Sequence, residues 1–337
     1  MQDKYCIAVD AMGGDFGPRI TVEASLAVLK DHPDLSITLV GDHKQIAPYL
    51  PEDSNSQLTI VHAPSVITAD MRVMSALREG SDSSMQLALD ELLAGSACAV
   101  VSAGNTGALM ALARRTLGMI QGIDRPAISA AMPTLKGECQ VVDLGANLDS
   151  SPEMLNQFAV LGRALVRVTT GMDPKIGLLN VGSEETKGNE TLREASALIA
   201  GLPDVNYIGF VEGADLFVGD ADLIICDGLV GNVALKSSEG VAKLLAHRLR
   251  QVFAGSLYSK VIAWLARPML TSLIRSLDSG QRNGALFLGL NGLVVKSHGA
   301  AKANDFKAAL DNTLEMLKAD LPKQLADQVA RDLNSSP

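Results

Sequence analysis

Short apolar runs recur along the chain with amphipathic stretches between them: "YCIAVD", "SITLVGD", "LTIVHA", "CAVVSAG", "AISAAMP", "CQVVDLG", "KIGLLNVG", "DLIICDG" and "GLVVKSHG". They are apolar throughout instead of alternating with polar residues, the pattern of strands covered on both faces. Helix starts fall between them. Pro18 sits in the first turn after a glycine-rich loop, Ser81 or Asp82 precedes "MQLALDELLAG", and Ser151-Pro152 precedes "EMLNQFAVLGRALVRV". The expected architecture is a three-layer α/β/α fold, a doubly wound, mostly parallel sheet within a single domain spanning residues 1–337.

One region breaks the alternation of strand and helix. From Val241 to about Gly280 helical sequence continues with no strand, so residues 241–282 are expected to project as a helical arm. Its second half places Leu270, Leu273, Ile274 and Leu277 at helical spacing, and Tyr258 and Trp264 are residue types favoured at lipid interfaces. Lys243, Arg248, Arg250, Lys260, Arg267, Arg275 and Arg282 are offset only by Asp278. Three uses suit such an arm: an anionic membrane surface, an acidic carrier protein, or a dimer interface with charges at its rim. Pro268 and the embedded charges exclude a spanning helix, and no apolar run reaches the roughly 20 residues that spanning needs.

Composition sharpens this picture. The 337 residues are 47% hydrophobic, 20% charged and only 4% aromatic, as in a globular protein built on small aliphatics. A net charge of −9 argues against broad nucleic-acid binding and makes the basic arm conspicuous. The opening "MQDKYCIAVD" lacks the basic and long apolar segments of a secretory signal, so a cytoplasmic location is expected. Cys6, Cys98, Cys139 and Cys226 have neither metal nor redox spacing and read as buried core residues.

In parallel sheets ligands bind beyond the carboxyl ends of the strands, and here those ends gather glycine and polar residues. The loops are "VDAMGGD" (Asp10, Gly13, Gly14, Asp15), "SAGNTGA" (Ser102, Asn105, Thr106, Gly107), "VDLGAN" (Asp143, Asn147), "NVGSEETKGNE" (Lys187), "CDGLVGNVALK" (Asp227, Gly231, Asn232, Lys236) and "LNGLVVKSHG" (His298). All are expected at one sheet edge. Glycines let backbone N–H groups approach an anion, and a following helix N-terminus adds roughly half a positive charge. There is no G-x-G-x-x-G after the first strand and no G-x-x-x-x-G-K-[ST], so a nucleotide is not the expected anion. The five histidines are scattered, which gives no metal pattern and no expected cofactor.

The stretches "AVDAMGGDFGP", "SAGNTGALMA", "GIDRPAI", "VDLGANLDSSPEMLNQFA", "GLLNVGSEETKGNE", "CDGLVGNVALKSSEG" and "LGLNGLVVKSHGAAKAND" together resemble the bacterial phosphate acyltransferases of phospholipid synthesis. The matches run in order from residue 7 to about 305; "GLVGN" departs from the family in carrying Leu229-Val230 where Phe-Thr is common. The resemblance implies conversion of acyl-acyl carrier protein and inorganic phosphate into acyl phosphate. It also implies a fold similar to isocitrate dehydrogenases and phosphate acetyltransferases, a homodimer, and peripheral attachment to the inner face of the cell membrane. A membrane glycerol-3-phosphate acyltransferase would be the next enzyme.

Phosphate attack on a thioester needs position and charge stabilisation more than a strong base. On this reading Lys187 and the amides of "GNTG" and "GNVAL" hold the phosphate, while Asn105, Thr106 or Asn232 donates to the developing oxyanion. His298 protonates the departing thiolate. Asp10 and Asp15 orient Lys187 or another donor, or accept a hydrogen bond from monoprotonated phosphate; Asp10 as a loop cap is the structural alternative. The rival functions are a coenzyme A-dependent acetyltransferase or a decarboxylating dehydrogenase on the same scaffold, and a non-catalytic carrier-docking module.

Overall fold

The computed structural model describes residues 5–51, 56–254, 266 and 283–334. Its strands are β1 (Tyr5–Asp10), β2 (Leu35–Gly41), β3 (Leu58–His62), β4 (Ala99–Ser102), β5 (Ala127–Thr134), β6 (Gly137–Val142), β7 (Lys175–Leu179), β8 (Asn206–Val211), β9 (Leu223–Ile225), β10 (Ala285–Leu288) and β11 (Leu293–Lys296). They form one 11-stranded sheet in the order β3-β2-β1-β4-β11-β10-β5-β6-β9-β7-β8. The described helices are α1 (Pro18–Asp31), α2 (His43–Ile46), α3 (Val73–Glu79), α4 (Ser84–Leu93), α5 (Thr106–Leu117), α6 (Pro152–Thr170), α7 (Glu190–Ala200), α8 (Gly228–Ala254), α9 (Ala303–Lys318) and α10 (Leu321–Asn334).

Each apolar run noted in the sequence becomes a strand. Two strands have no such run. β8 lies at the sheet edge with Asn206 and Ile208 exposed, so it never shows a continuous apolar signal, and β10 is only four residues long. Helix starts follow local chemistry: Pro18 opens α1 behind Gly17, and the Ser151 hydroxyl accepts from Met154 N at the head of α6. The cap of α4 is Ser83, whose hydroxyl accepts from Gln86 N, two residues later than Ser81 and one later than Asp82. Cys139 and Cys226 are buried, and burial pushes the Cys139 thiol up to about 12. Cys6 is half-buried and Cys98 exposed, so the expectation of four core cysteines is corrected: Cys98 lies just before β4, where the chain enters from the surface.

Strand direction has the larger consequence. β3, β2, β1, β4 and β11 are mutually parallel, as are β6, β9, β7 and β8. Between these wings the pairs β11–β10, β10–β5 and β5–β6 are all antiparallel. Three reversals are an odd number, so the two wings point in opposite directions. The carboxyl ends of β1, β4 and β11 therefore lie at one sheet edge, and those of β6, β7 and β9 at the other. The hairpins are dictated by their connections: only Leu135 and Lys136 separate β5 from β6, and Gly289–Gly292 separates β10 from β11, too short for a crossover between parallel strands.

α8 links the two edges. It starts at Gly228 behind β9, and about 12 Å of helix rise later its Lys236 side chain reaches His298, two residues beyond β11. From Val241 to Ala254 it continues as the first part of the expected arm, with Val241, Leu244, Leu245 and Val252 exposed. Lys260, Trp264, Arg267, Leu270 and Arg275 lie outside the described residues. Among the described residues no helix is long and apolar enough to cross a membrane.

Candidate active site at the β1–β4–β11 edge

Asp10 ends β1 and is almost completely buried. Its carboxylate accepts the Ser84 hydroxyl from the head of α4 and the Ser102 hydroxyl from the end of β4, each at 2.6 Å. Burial pushes its pKa up, and the two hydroxyls, the Met12 amide and the charge of Lys296 oppose that rise. The adjoining loop approaches very closely: a Cβ at Gly13 would stand 2.7 Å from the Gly104 nitrogen and 2.8 Å from the Asp10 carboxylate. Gly14 adopts φ +88°, and the next amide, of Asp15, donates to Gly299 O at 2.8 Å. Asp10 and Asp15 thus clip the β1 loop to the β4 and β11 loops. Lys187 plays no part in this arrangement.

The last residue of β11, Lys296, is half-buried between the same loops, and its ammonium donates to Ala103 O at 3.3 Å and to Ser297 O. Burial brings its pKa down to about 8, helped by Lys236 and resisted by Asp10 and Asp15. Next to it, the His298 backbone N–H donates to Asn283 Oδ1 at 2.9 Å. His298 Nδ1 accepts the Ala300 N–H at 3.1 Å, so in the neutral ring Nε2 carries the hydrogen. Nε2 stands 3.7 Å from the Glu239 carboxylate, which also pairs with Lys236 at 3.1 Å. The His298 ring, followed by Lys236, holds the Glu239 carboxyl at about 2, well below its ordinary value. Through Nδ1 on its own loop and Nε2 beside Glu239 and Lys236, His298 ties α8 to the β11 loop.

Loop residues after β4 are likewise engaged. Asn105 caps α5 by accepting from Ala108 N at 3.1 Å, and its amide donates to Ala69 O and Met71 O at 3.0 Å. Its polar atoms hold the 68–71 loop, which corrects the expectation of an oxyanion donor there. Thr106 opens α5 half-buried, and Gly107 packs against Val73.

The other expected site residues stand at the opposite edge, which corrects the expectation of a single edge; the strand reversal is the reason. Asp143 is fully buried behind β6, and its carboxylate accepts from the amides of Ile128, Gly145, Ala146 and Asn147 and from the Asn147 side chain. Burial raises its pKa against these donors. The Asn147 amide also donates to Pro126 O. Asp227 accepts from Leu229 N at the head of α8 and from Ser150 N, both at 2.9 Å. Gly231 and Asn232 pack on the Asp143–Gly145 loop. Lys187 is exposed on the loop after β7, where Asn180 donates to its carbonyl. These carboxylates organise backbone. Among the described residues no group of three or more His, Cys, Asp or Glu side chains could hold a metal ion.

The sequence profile of the fatty acid synthesis protein family matches residues 5–324. A phosphate acyltransferase of Pseudomonas fluorescens (strain Pf0-1) is 48% identical over 322 residues, covering 95% of this chain and 96% of its own length. The chain belongs to the phosphate acyltransferase family. A further member, from Coxiella burnetii (strain CbuG_Q212), is 46% identical over 97% of both chains. Among solved structures, a phosphotransacetylase from Streptococcus pyogenes superposes with a TM-score of 0.61 at 17% identity, covering 94% of each chain. A branched-chain phosphotransacylase from Enterococcus faecalis V583 gives 0.58 at 13% identity, over 93% of this chain and 99% of that one. At such identities the likeness is one of fold.

In this phosphate acyltransferase family chain, the polar and charged residues gathered at the β1–β4–β11 edge include three absent from the sequence expectation: Ser84, Glu239 and Lys296. Lys296 has a sequence signal, a lysine closing the apolar run "GLVVK" just ahead of a glycine loop. Ser84 and Glu239 sit on helices and give none. The depressed Glu239 pKa yields a signed prediction. Its stabilisation is fully present above about pH 4.5 and is lost as pH falls toward 2. Urea unfolding of Glu239→Gln should show a smaller midpoint than the parent at pH 6, with the difference narrowing below about pH 4.5 and closing near pH 2; a constant difference would remove the ion-pair explanation.

Proposed function

We propose that this chain transfers a fatty acyl group from the thioester of acyl-acyl carrier protein to inorganic phosphate at the β1–β4–β11 edge. The observation that carries the reading is the convergence of two lysines, Lys236 and Lys296, on the glycine loops of that edge. The carboxylates of the opposite edge, by contrast, are taken up by backbone amides. Inorganic phosphate, with a second pKa about 7 against roughly 6 for phosphate monoesters, is already nucleophilic at neutral pH. The protein must hold a dianion beside a carbonyl carbon and stabilise the charge that develops on its oxygen. Two ammonium groups and the amides of "GGD" and "GNTG" suit that task, with Thr106 as the remaining side-chain donor. Lys236 takes the place first given to Lys187.

The same reading includes a homodimer, and an arm resting on an anionic membrane surface at the cytoplasmic side, from which acyl phosphate passes to a membrane glycerol-3-phosphate acyltransferase. Its support is the far half of α8, where exposed Val241, Leu244, Leu245 and Val252 alternate with exposed Lys243, Arg248 and Arg250.

The test is to incubate the purified protein with acyl-acyl carrier protein, with and without phosphate, and to follow free thiol together with hydroxylamine-trappable acyl phosphate. Both products should appear only when phosphate is present. Consumption of acyl-coenzyme A alone would move the chain to phosphotransacetylase-type chemistry, and no thioester consumption would reject acyl transfer.

A further inference from the structure

Departure of an alkyl thiolate is assisted by a proton, and the geometry of the edge narrows its source. Asp10 receives two hydroxyl hydrogens and an amide hydrogen, so it accepts and has nothing to give. His298 accepts the Ala300 N–H at Nδ1 and turns Nε2 to Glu239. Lys236 is paired with that same carboxylate. Lys296 differs. Two of its three ammonium hydrogens go to Ala103 O and Ser297 O, the first carbonyls beyond the ends of β4 and β11. One N–H is left for a substrate. After that proton leaves, the two carbonyls still hold the amine by its remaining hydrogens, with its lone pair where the proton had been.

We propose that the Lys296 ammonium protonates the departing thiolate and is recharged by the acyl phosphate, an assignment that rests on the acyl-transfer reading above. An oxygen of HPO₄²⁻ forms a bond to the thioester carbon, the C–S bond breaks with its electron pair passing to sulfur, and Lys296 gives that sulfur its proton. The product RCO–OPO₃H⁻ then returns its remaining proton to the amine. The sum is thioester plus HPO₄²⁻ giving thiol plus RCO–OPO₃²⁻, with no external acid or base consumed. A lysine brought to about 8 by burial is closely matched to a thiol near 8.5, the condition under which proton transfer is most effective. The groups facing it are Lys236 on α8, which lowers its proton affinity, and Asp10 and Asp15 on the β1 loop, which raise it.

The test compares a carrier-protein or alkyl thioester with an S-phenyl thioester, whose thiolate leaves without a proton. Lys296→Arg keeps a positive charge but cannot release a proton at neutral pH. It should retain a phosphate KM within about threefold of the parent while losing about 10²-fold in kcat on the alkyl thioester, and most of that loss should vanish on the phenyl one. In the unmodified enzyme, kcat at saturating phosphate with the alkyl thioester should decline on the alkaline side, and the phenyl thioester should lack that decline. This profile needs no variant and survives a folding defect. Equal losses on both thioesters, full activity of Lys296→Arg, or one alkaline decline common to both substrates would overturn the assignment. Absence of any phosphate-dependent cleavage by the unmodified enzyme would instead overturn the acyl-transfer reading.

Discussion

Gly231→Ala is expected to destabilise the fold by about 3 kcal/mol or more, at the upper end for overpacking and in the range of strongly disruptive single substitutions. A Cβ at this position would lie 1.9 Å from the Asp143 carbonyl oxygen and 2.8 Å from Cys226 Sγ. Neither neighbour can yield cheaply. The oxygen is backbone, and it also accepts the Cys226 thiol at 3.2 Å, while the Asp143 side chain is pinned by surrounding amides. Relief therefore requires the first turn of α8 to lift off the β6 loop, against the Asp227 side chain that holds Leu229 N. Because α8 is continuous, Lys236 and Glu239 would move as well, so activity should fall with stability. Gly240→Ala on the same helix is the control: nothing lies within 4 Å of its Cβ, and it should be neutral or stabilising by up to about 1 kcal/mol. Urea unfolding followed by circular dichroism measures both. A Gly231→Ala loss below about 1 kcal/mol would mean that α8 is not seated this closely.

Asp10→Asn should reduce kcat/KM for phosphate by about 10²- to 10³-fold, the range associated with removing one preorganised charge or proton-transfer group, while leaving the melting temperature within a few degrees. The substitution keeps volume and one acceptor oxygen, and the Ser84 and Ser102 hydroxyls can rotate to meet an amide, so the loop junction should survive. What disappears is the negative charge that helps to keep Lys296 protonated in a half-buried position beside Lys236. The alkaline decline should correspondingly move to lower pH in the variant. Normal turnover with normal folding would reduce Asp10 to a loop cap, whereas a large fall in melting temperature would show the junction, and not the charge, to be what matters.

The covered strands were legible because continuous apolar runs are a local signature of burial on both faces, and "YCIAVD", "CAVVSAG" and "GLVVKSHG" each became a strand of the sheet. The glycine-rich loops were legible for a similar reason: close backbone approach leaves a compositional trace, as at Gly13 and Gly231. Even the hairpins were within reach, since two residues between β5 and β6 admit no crossover helix. Lys187 was misplaced beside Asp10 because the motif alone carries strand ends without strand directions.

By itself, then, the sequence determined the covered strands, the layered class and the family, all of which rest on local composition or on ordered motifs, while β8 and β10 left no such trace. Tertiary structure alone decided which loops meet. β10 and β11, from the far end of the chain, insert between β4 and β5 and set an odd number of antiparallel steps between the wings. That insertion carries Lys296 and His298 to Asp10 and leaves Asp143, Lys187 and Asp227 at the other edge. Pairing between strands so distant in sequence is settled by burial of their shared faces, a property of the assembled sheet that no single stretch of residues encodes.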